Sequence, residues 1–168
     1  MMTAIDLANA FVDRYAKSDY LTNMKLNELV YFAYARYLKK GEILFLEPIQ
    51  AWKCGPVVPN VYDTYKKYDR NQITQPISKA IPNESYEIAD EIWRDFGKLG
   101  AWDLRELNRQ ENSAWSKSYR EGRNALINDD VILSTDDGAA PSLEGTFAKA
   151  GEIAFKELYP VLKRLADV

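Results

Sequence analysis

Residues 47–62 read EPIQAWKCGPVVPNVY. From Ile49 to Lys53 apolar and polar side chains alternate, the period of a half-buried strand. Gly55-Pro56 then forces a turn, because glycine tolerates backbone angles that other residues avoid and proline fixes φ at about −65°. Pro59 suits the first position of a helix, expected over about residues 60–68. Upstream, Ile43 to Leu46 is a second short apolar run, set apart by Pro48. Two short strands, or one strand and an extended segment, are therefore expected: a small β-hairpin or short sheet around residues 43–54, entering a helix through a rigid corner.

The remainder reads as helix. Thr3 can cap a helix over about residues 4–17, with Ile5, Ala8, Phe11, Val12 and Tyr15 on one side. Thr22 or Asn23 can cap a second, over about 24–40, ending at Gly41. Its stripe of Leu26, Leu29, Val30, Ala33 and Tyr37 is joined by Phe32, Ala35 and Leu38 on other sides. A helix apolar around most of its circumference belongs in the centre of a fold. Asn83 can cap a helix over about 84–98, carrying Tyr86, Ala89, Ile92, Trp93 and Phe96, and ended by Gly97 and Gly100. Short helices follow around 102–108 and 114–119. Residues 128–140 are the most linker-like stretch. Ser142 can cap a last helix from about Leu143 to Leu158, within an overall span of about 142–166, which Pro160 should break or kink. The expectation is a mainly α chain of the α+β class: one compact helical domain over residues 1–168, since no segment carries enough apolar residues for a second core.

Composition narrows the function. Hydrophobic residues make up 46% of the 168, enough for a core, and the formal net charge of −3 disfavours a general nucleic-acid binder. No run approaches the roughly 18 apolar residues of a membrane span, and the first 13 residues lack the basic start and apolar block of a secretory signal. One cysteine, Cys54, allows no internal disulfide, so a cytoplasmic protein is expected. There is no histidine at all. That removes every Ser-His or Cys-His nucleophile, every imidazole base and every histidine metal site.

Three stretches resemble the Panacea-domain, or SocA-like, antitoxin family. Residues 24–33, MKLNELVYFA, are similar to a family helix reading "lqKLlYfa". Residues 47–62 resemble the hallmark pattern "f.E.i.AW.yGPVvp.vY". Leu104-Arg105-Glu106-Leu107, with Glu111 and Trp115, is similar to "eLs.lth.e.pW". Their order and spacing span most of residues 3–120. Asn108-Arg109 stands where many members carry Thr-His, and Cys54 replaces a usual aromatic. The resemblance implies an antitoxin of a two-gene pair, often carried by prophages, whose partner is a cognate toxin protein encoded by a neighbouring gene. Most members are thought to neutralise by direct contact, while the SocA type resembles an adaptor that hands its toxin to the ClpXP protease. It implies no catalytic residues, no cofactor and no metal.

The residues themselves admit two readings. Trp52, Lys53 and Pro56 form either a structural lock between strand and helix or a rigid edge shown to a partner, which could also add a strand there. Tyr62, Tyr65 and Tyr68 drift slowly around one helical face beside Lys66, Lys67 and Arg70. They are core residues with solvated cations, or the aromatic and basic anchors of a protein interface; base stacking is the third choice and the acidic balance counts against it. Trp52, Lys53, Pro56, Tyr62, Tyr65 and Lys66 are therefore the candidate partner-binding residues. Asp129, Asp130, Asp136 and Asp137 read as a solvated loop, since the EF-hand spacing is absent. Cys54 reads as a small packed residue. An alternative is a carboxylate enzyme binding a metal through Glu28, Glu47 or Asp63, but these acids show no ligand pattern.

Overall fold

Both predicted threonine caps are in place in a computed structural model that describes residues 1–142, 144 and 147–167. Thr3 closes a capping box with Asp6 at the start of α1, Ala4–Tyr15. The Thr22 hydroxyl accepts from the Lys25 N–H, 3.3 Å away, at the start of α2, Asn23–Lys39. Each cap satisfies helix-end donors that would otherwise be orphaned, worth about 1 kcal/mol.

α2 is central, as its apolar circumference predicts. Along with its apolar stripe it buries Asn23, Lys25, Asn27 and Glu28. Packed around it are α1, α3 (Pro59–Tyr65, extended by a single 3₁₀ turn to Tyr68), α4 (Asn83–Phe96), α5 (Ala101–Asn108), α7 (Asp129–Leu133) and a strand, β2 (Gly55–Val57). Phe32 of α2 stacks on Phe96 of α4, with ring centroids 4.4 Å apart, and Tyr15 of α1 stacks on Trp93 at 4.1 Å. The short α6 covers Ala114–Ser118. The chain is thus mainly helical with one small antiparallel sheet, as expected.

That sheet differs in its residues from the sequence reading. Its order is β2-β1-β3, with β1 at Gln50–Trp52 and β3 at Ala125–Leu126. Residues 43–48 are not paired: Leu44 and Phe45 turn into the core, and Pro48 cannot donate to a ladder. The turn falls at Lys53-Cys54, two residues before the expected Gly55-Pro56, because Trp52 pairs with Gly55 and Ala51 with Pro56. Proline is tolerated in β2 because β2 is an edge strand.

Two further corrections concern the C-terminal part. Asp130 and Asp136 are exposed as a solvated loop requires, but Asp129 and Asp137 are half-buried and paired. Asp129 accepts the Tyr34 hydroxyl at 2.8 Å, and Asp137 accepts both the Tyr31 hydroxyl and, at 3.1 Å, the Ala114 N–H. Tyrosines facing off a buried helix need acceptors, and these acids supply them. Pro160 does not break the last helix, α8, which runs Phe147–Ala166 through it. Residues 150–167 are all exposed, so water can take the backbone carbonyl that the proline leaves unbonded. Leu143, Gly145 and Thr146, where the sequence starts this helix, lie outside the described residues. Among the described residues no helix is long and apolar enough to cross a membrane.

The strap that carries Asp137 is pressed tightly on α2. Gly138 has φ of +85°, its carbonyl accepts from Arg36 Nε at 2.7 Å, and a Cβ placed on it would lie 2.6 Å from the Arg36 backbone nitrogen. Both the left-handed backbone and the contact demand glycine. Gly138→Ala is expected to lower unfolding free energy by about 2–4 kcal/mol, read as a reduced urea midpoint at unchanged slope; an unchanged midpoint would show that the strap is not docked there.

Candidate functional site

The three sequence stretches singled out above meet at one corner. From α2, Asn27 Nδ2 donates to the Asn23 carbonyl and Oδ1, both at 2.9 Å, leaving Asn27 Oδ1 to accept from the Val58 N–H at 3.0 Å. Asn23 Nδ2 reaches the Tyr62 carbonyl at 2.9 Å. This asparagine pair clamps the entry of α3 onto α2. From the third stretch, Trp115 Nε1 donates to the Trp52 carbonyl at 2.6 Å and Arg109 Nη2 to the Lys53 carbonyl at 2.8 Å. Gly55, with φ of +137°, closes the turn between them.

The six candidate residues divide between surface and interior. Trp52 is half-buried, satisfies its own N–H on Gln50 Oε1 at 2.8 Å and meets Tyr62 edge-on, centroids 4.9 Å apart. Lys53 projects from the turn, and Lys66, one turn of helix beyond Tyr62, is exposed and 3.8 Å from Asp63. Pro56 is buried. Tyr65 is 1% exposed; its hydroxyl donates to Asn9 Oδ1, and burial pushes its pKa up to about 12. In the free chain, then, Trp52, Lys53, Tyr62 and Lys66 offer side chains outward, while Pro56 and Tyr65 hold the corner from behind.

Beside the turn lies a pocket of about 200 Å³ lined by Met24, Glu28, Cys54, Ala101, Trp102 and Arg105. Burial pushes the Cys54 thiol up, away from nucleophilic thiolate. Burial also raises the Glu28 carboxyl well above its usual range, opposed by the charges of Arg105, Lys25 and Arg109. The carboxylates a metal enzyme would need do not converge. Glu47 accepts the Ala4 N–H at 2.9 Å at the start of α1, Asp63 sits exposed on α3, and Glu28 is inside. Among the described residues no three His, Cys, Asp or Glu side chains are grouped to hold a metal ion.

Sequence reasoning found the last helix and missed what it presents. Along α8, Ala154, Leu158, Val161, Leu162 and Leu165 recur at helical spacing on one face, with Phe155 at its border; Lys156 and Lys163 lie opposite. Leu158 and Leu162 are 57% and 58% exposed. The stripe is visible in the sequence. Its lack of cover is not, because that depends on the core being already closed by α1 to α7.

The profile of the family described as "Antitoxin SocA-like, Panacea domain" matches residues 26–116, just over half of the chain. The chain is also similar to Antitoxin SocA of Caulobacter vibrioides (strain NA1000 / CB15N), with 27% identity over 124 residues, covering 65% of this chain and 66% of that protein, slightly under two thirds of its length. No solved structure matches the chain at a significant level. The matched region contains Asn27 of the asparagine clamp, the turn and both donors that reach it, and ends before α8. Asn108 and Arg109, two of the positions that depart from the family pattern, carry three of the five buried side-chain atoms without a hydrogen-bond partner among the described residues.

Glu28 gives this site a pH dependence of definite sign. Its folded pKa lies above the usual 4.5, so between 4.5 and the folded value the native chain holds a proton that the unfolded chain releases. Stability from this group therefore falls as pH rises through that interval. Glu28→Gln should remove the decline: its melting temperature relative to the parent is expected to rise from pH 4 to pH 8. A constant difference across that range would show that Glu28 does not carry the effect.

Proposed function

Because the chain belongs to the SocA-like antitoxin family defined by the Panacea domain, we propose that it is an antitoxin that neutralises a cognate toxin protein, encoded by a neighbouring gene, through direct contact and without chemistry of its own. The observation that carries this reading is the uncovered face of α8. Leu158, Val161, Leu162 and Leu165 stand in water along about two turns of a helix. Helix-in-groove recognition uses that spacing, and an apolar stripe of this kind gains most of its energy from a few buried anchors.

The corner supplies a second contact surface in this proposal. Trp52 and Tyr62 give rigid aromatic area at small entropy cost, Lys53 and Lys66 give charge at the rim, and Pro56 and Tyr65 fix the geometry from beneath. A cell interior is the setting this requires, with the toxin as partner and neither membrane nor nucleic acid involved. The proposal needs no catalytic group, which agrees with a sequence that has no histidine and with scattered carboxylates.

The test is co-expression with the adjacent gene product. The parent chain should relieve growth arrest and co-purify with the toxin. Leu158→Asp with Leu162→Asp, both already exposed and so compatible with folding, should weaken the complex at least tenfold, on the order of 1.4 kcal/mol or more, with an unchanged melting temperature of the free chain. Absence of both rescue and co-purification would refute the antitoxin reading. Rescue that vanishes in cells lacking ClpXP, with the toxin accumulating, would replace direct neutralisation by the protease-adaptor mechanism.

A further inference from the structure

The stripe along α8 has an internal order that an apolar surface as such does not need. Ala154, Leu158, Val161 and Leu165 follow one another at alternating steps of four and three, the spacing by which one helix seats itself against another. Phe155 and Leu162 border that seam on one side, and Glu157 and Arg164 border it on the other. Pro160 falls on the far side, away from a helix packed on the seam. All of these side chains are exposed. Among the described residues neither Glu157 nor Arg164 belongs to an ion pair. They stand about 10.5 Å apart along the helix axis, too far to pair with each other.

A second copy of α8, laid antiparallel on the first, supplies what each helix lacks. With the two-fold axis passing between the levels of Tyr159 and Pro160, Leu158 lies opposite Val161 of the second copy and Ala154 lies opposite its Leu165. The outer layers thus set a small side chain against a large one, which lets the two helices interdigitate. The same alignment places Phe155 against Leu162 of the second copy on one flank. On the other flank it places Glu157 against Arg164 of the second copy, twice, once on each side of the axis. A parallel alignment instead sets Glu157 against Leu162, so the flanking charges select the antiparallel one. One stripe is therefore complementary to itself in shape and in charge, which is what a closed two-fold contact requires.

We propose that two copies of the free chain associate through α8, antiparallel, with Leu158 and Val161 at the centre of the seam and Glu157–Arg164 pairs across it. The dimer does not rest on the antitoxin reading; only its displacement by a toxin that covers the same stripe does. The purified full chain is followed by sedimentation equilibrium over a concentration series at low ionic strength, where exposed ion pairs are least screened. A monomer–dimer equilibrium is expected, with a dissociation constant on the order of tens of micromolar, because a seam of about three turns lies at the small end of interface sizes. Leu158→Asp should abolish the dimer. Glu157→Arg alone, or Arg164→Glu alone, sets like charges against each other at both pairs and should weaken it about tenfold. The two changes together rebuild both pairs with their signs exchanged and should restore it. Each altered side chain is exposed, so every variant should keep the parent's melting temperature. A chain that stays monomeric, a dimer indifferent to Leu158→Asp or to the single charge reversals, or a loss that the double reversal does not repair would overturn the pairing. Added toxin should yield a complex with one copy of each protein; a complex that keeps two copies of this chain joined through α8 would overturn the displacement. Neutralisation by a chain that stays monomeric would leave the antitoxin reading standing and remove this one, and a dimer without rescue from the toxin would do the reverse.

Discussion

A helix buried around most of its circumference must satisfy its inward polar side chains without water, and α2 is under that constraint. Asn23, Lys25 and Asn27 are each less than 4% exposed, and each is bonded. None of their partners is nearby in sequence except within α2 itself and at Asp19: they are the carbonyl of Tyr62, the N–H of Val58 and the carbonyl of Gly97. Satisfying α2 therefore fixes where α3 begins and where α4 ends. Because leaving such a donor or acceptor bare costs about as much as a large core defect, these bonds specify one arrangement among several that apolar packing alone would tolerate.

The outward side of α2 works in the same way with tyrosine and arginine. Tyr31 and Tyr34 deliver hydroxyls to Asp137 and Asp129, and Arg36 bonds the Gly138 carbonyl while pairing with Asp95 at 2.7 Å. Three residues of one helix thus hold α4, α7 and the 134–142 strap. Tyr37 and Lys40 both add bonds to Glu91 of α4. A chain with eleven tyrosines and no histidine uses several of those rings as neutral donors to carboxylates. That is a way to bury polar tips without introducing a group that titrates near neutrality; the hydroxyls of Tyr31, Tyr34 and Tyr37 are all pushed further up by burial and by the acids they serve.

This division explains what could be read in advance. The caps at Thr3 and Thr22, the central place of α2 and the strand-to-helix corner are local features, written in spacing and in threonine, glycine and proline chemistry. The placement of β3 was not legible, since a two-residue strand at Ala125–Leu126 is defined by its pairing with Gln50 and Ala51 and by no pattern of its own. Nor were the roles of Asp129 and Asp137, whose polar surroundings suit a solvated loop until the tyrosines of α2 are seen to bond them. At the candidate site the sequence located the corner. Burial then separated Trp52, Lys53, Tyr62 and Lys66, which face outward, from Pro56 and Tyr65, which do not. Helical periodicity alone could not do this, because residues 62, 65 and 66 lie on neighbouring sides of one short helix.

Two features stand apart from the bonds that α2 makes inside this fold. The core of α1 to α7 closes on itself, yet the chain continues into a helix whose leucines touch water, and at the start of α2 it retains a carboxylate that burial disfavours. Neither feature improves the stability of the isolated chain: α8 buries little of its own apolar face, and Glu28 loses solvation without gaining a donor at Oε2. The leucines would gain from any surface that removed them from water, while Glu28 answers its burial by holding a proton, against the pull of Arg105, Lys25 and Arg109. The two features differ in kind: an apolar stripe is tolerant and fits many grooves, whereas the state of Glu28 is set by the groups packed around it.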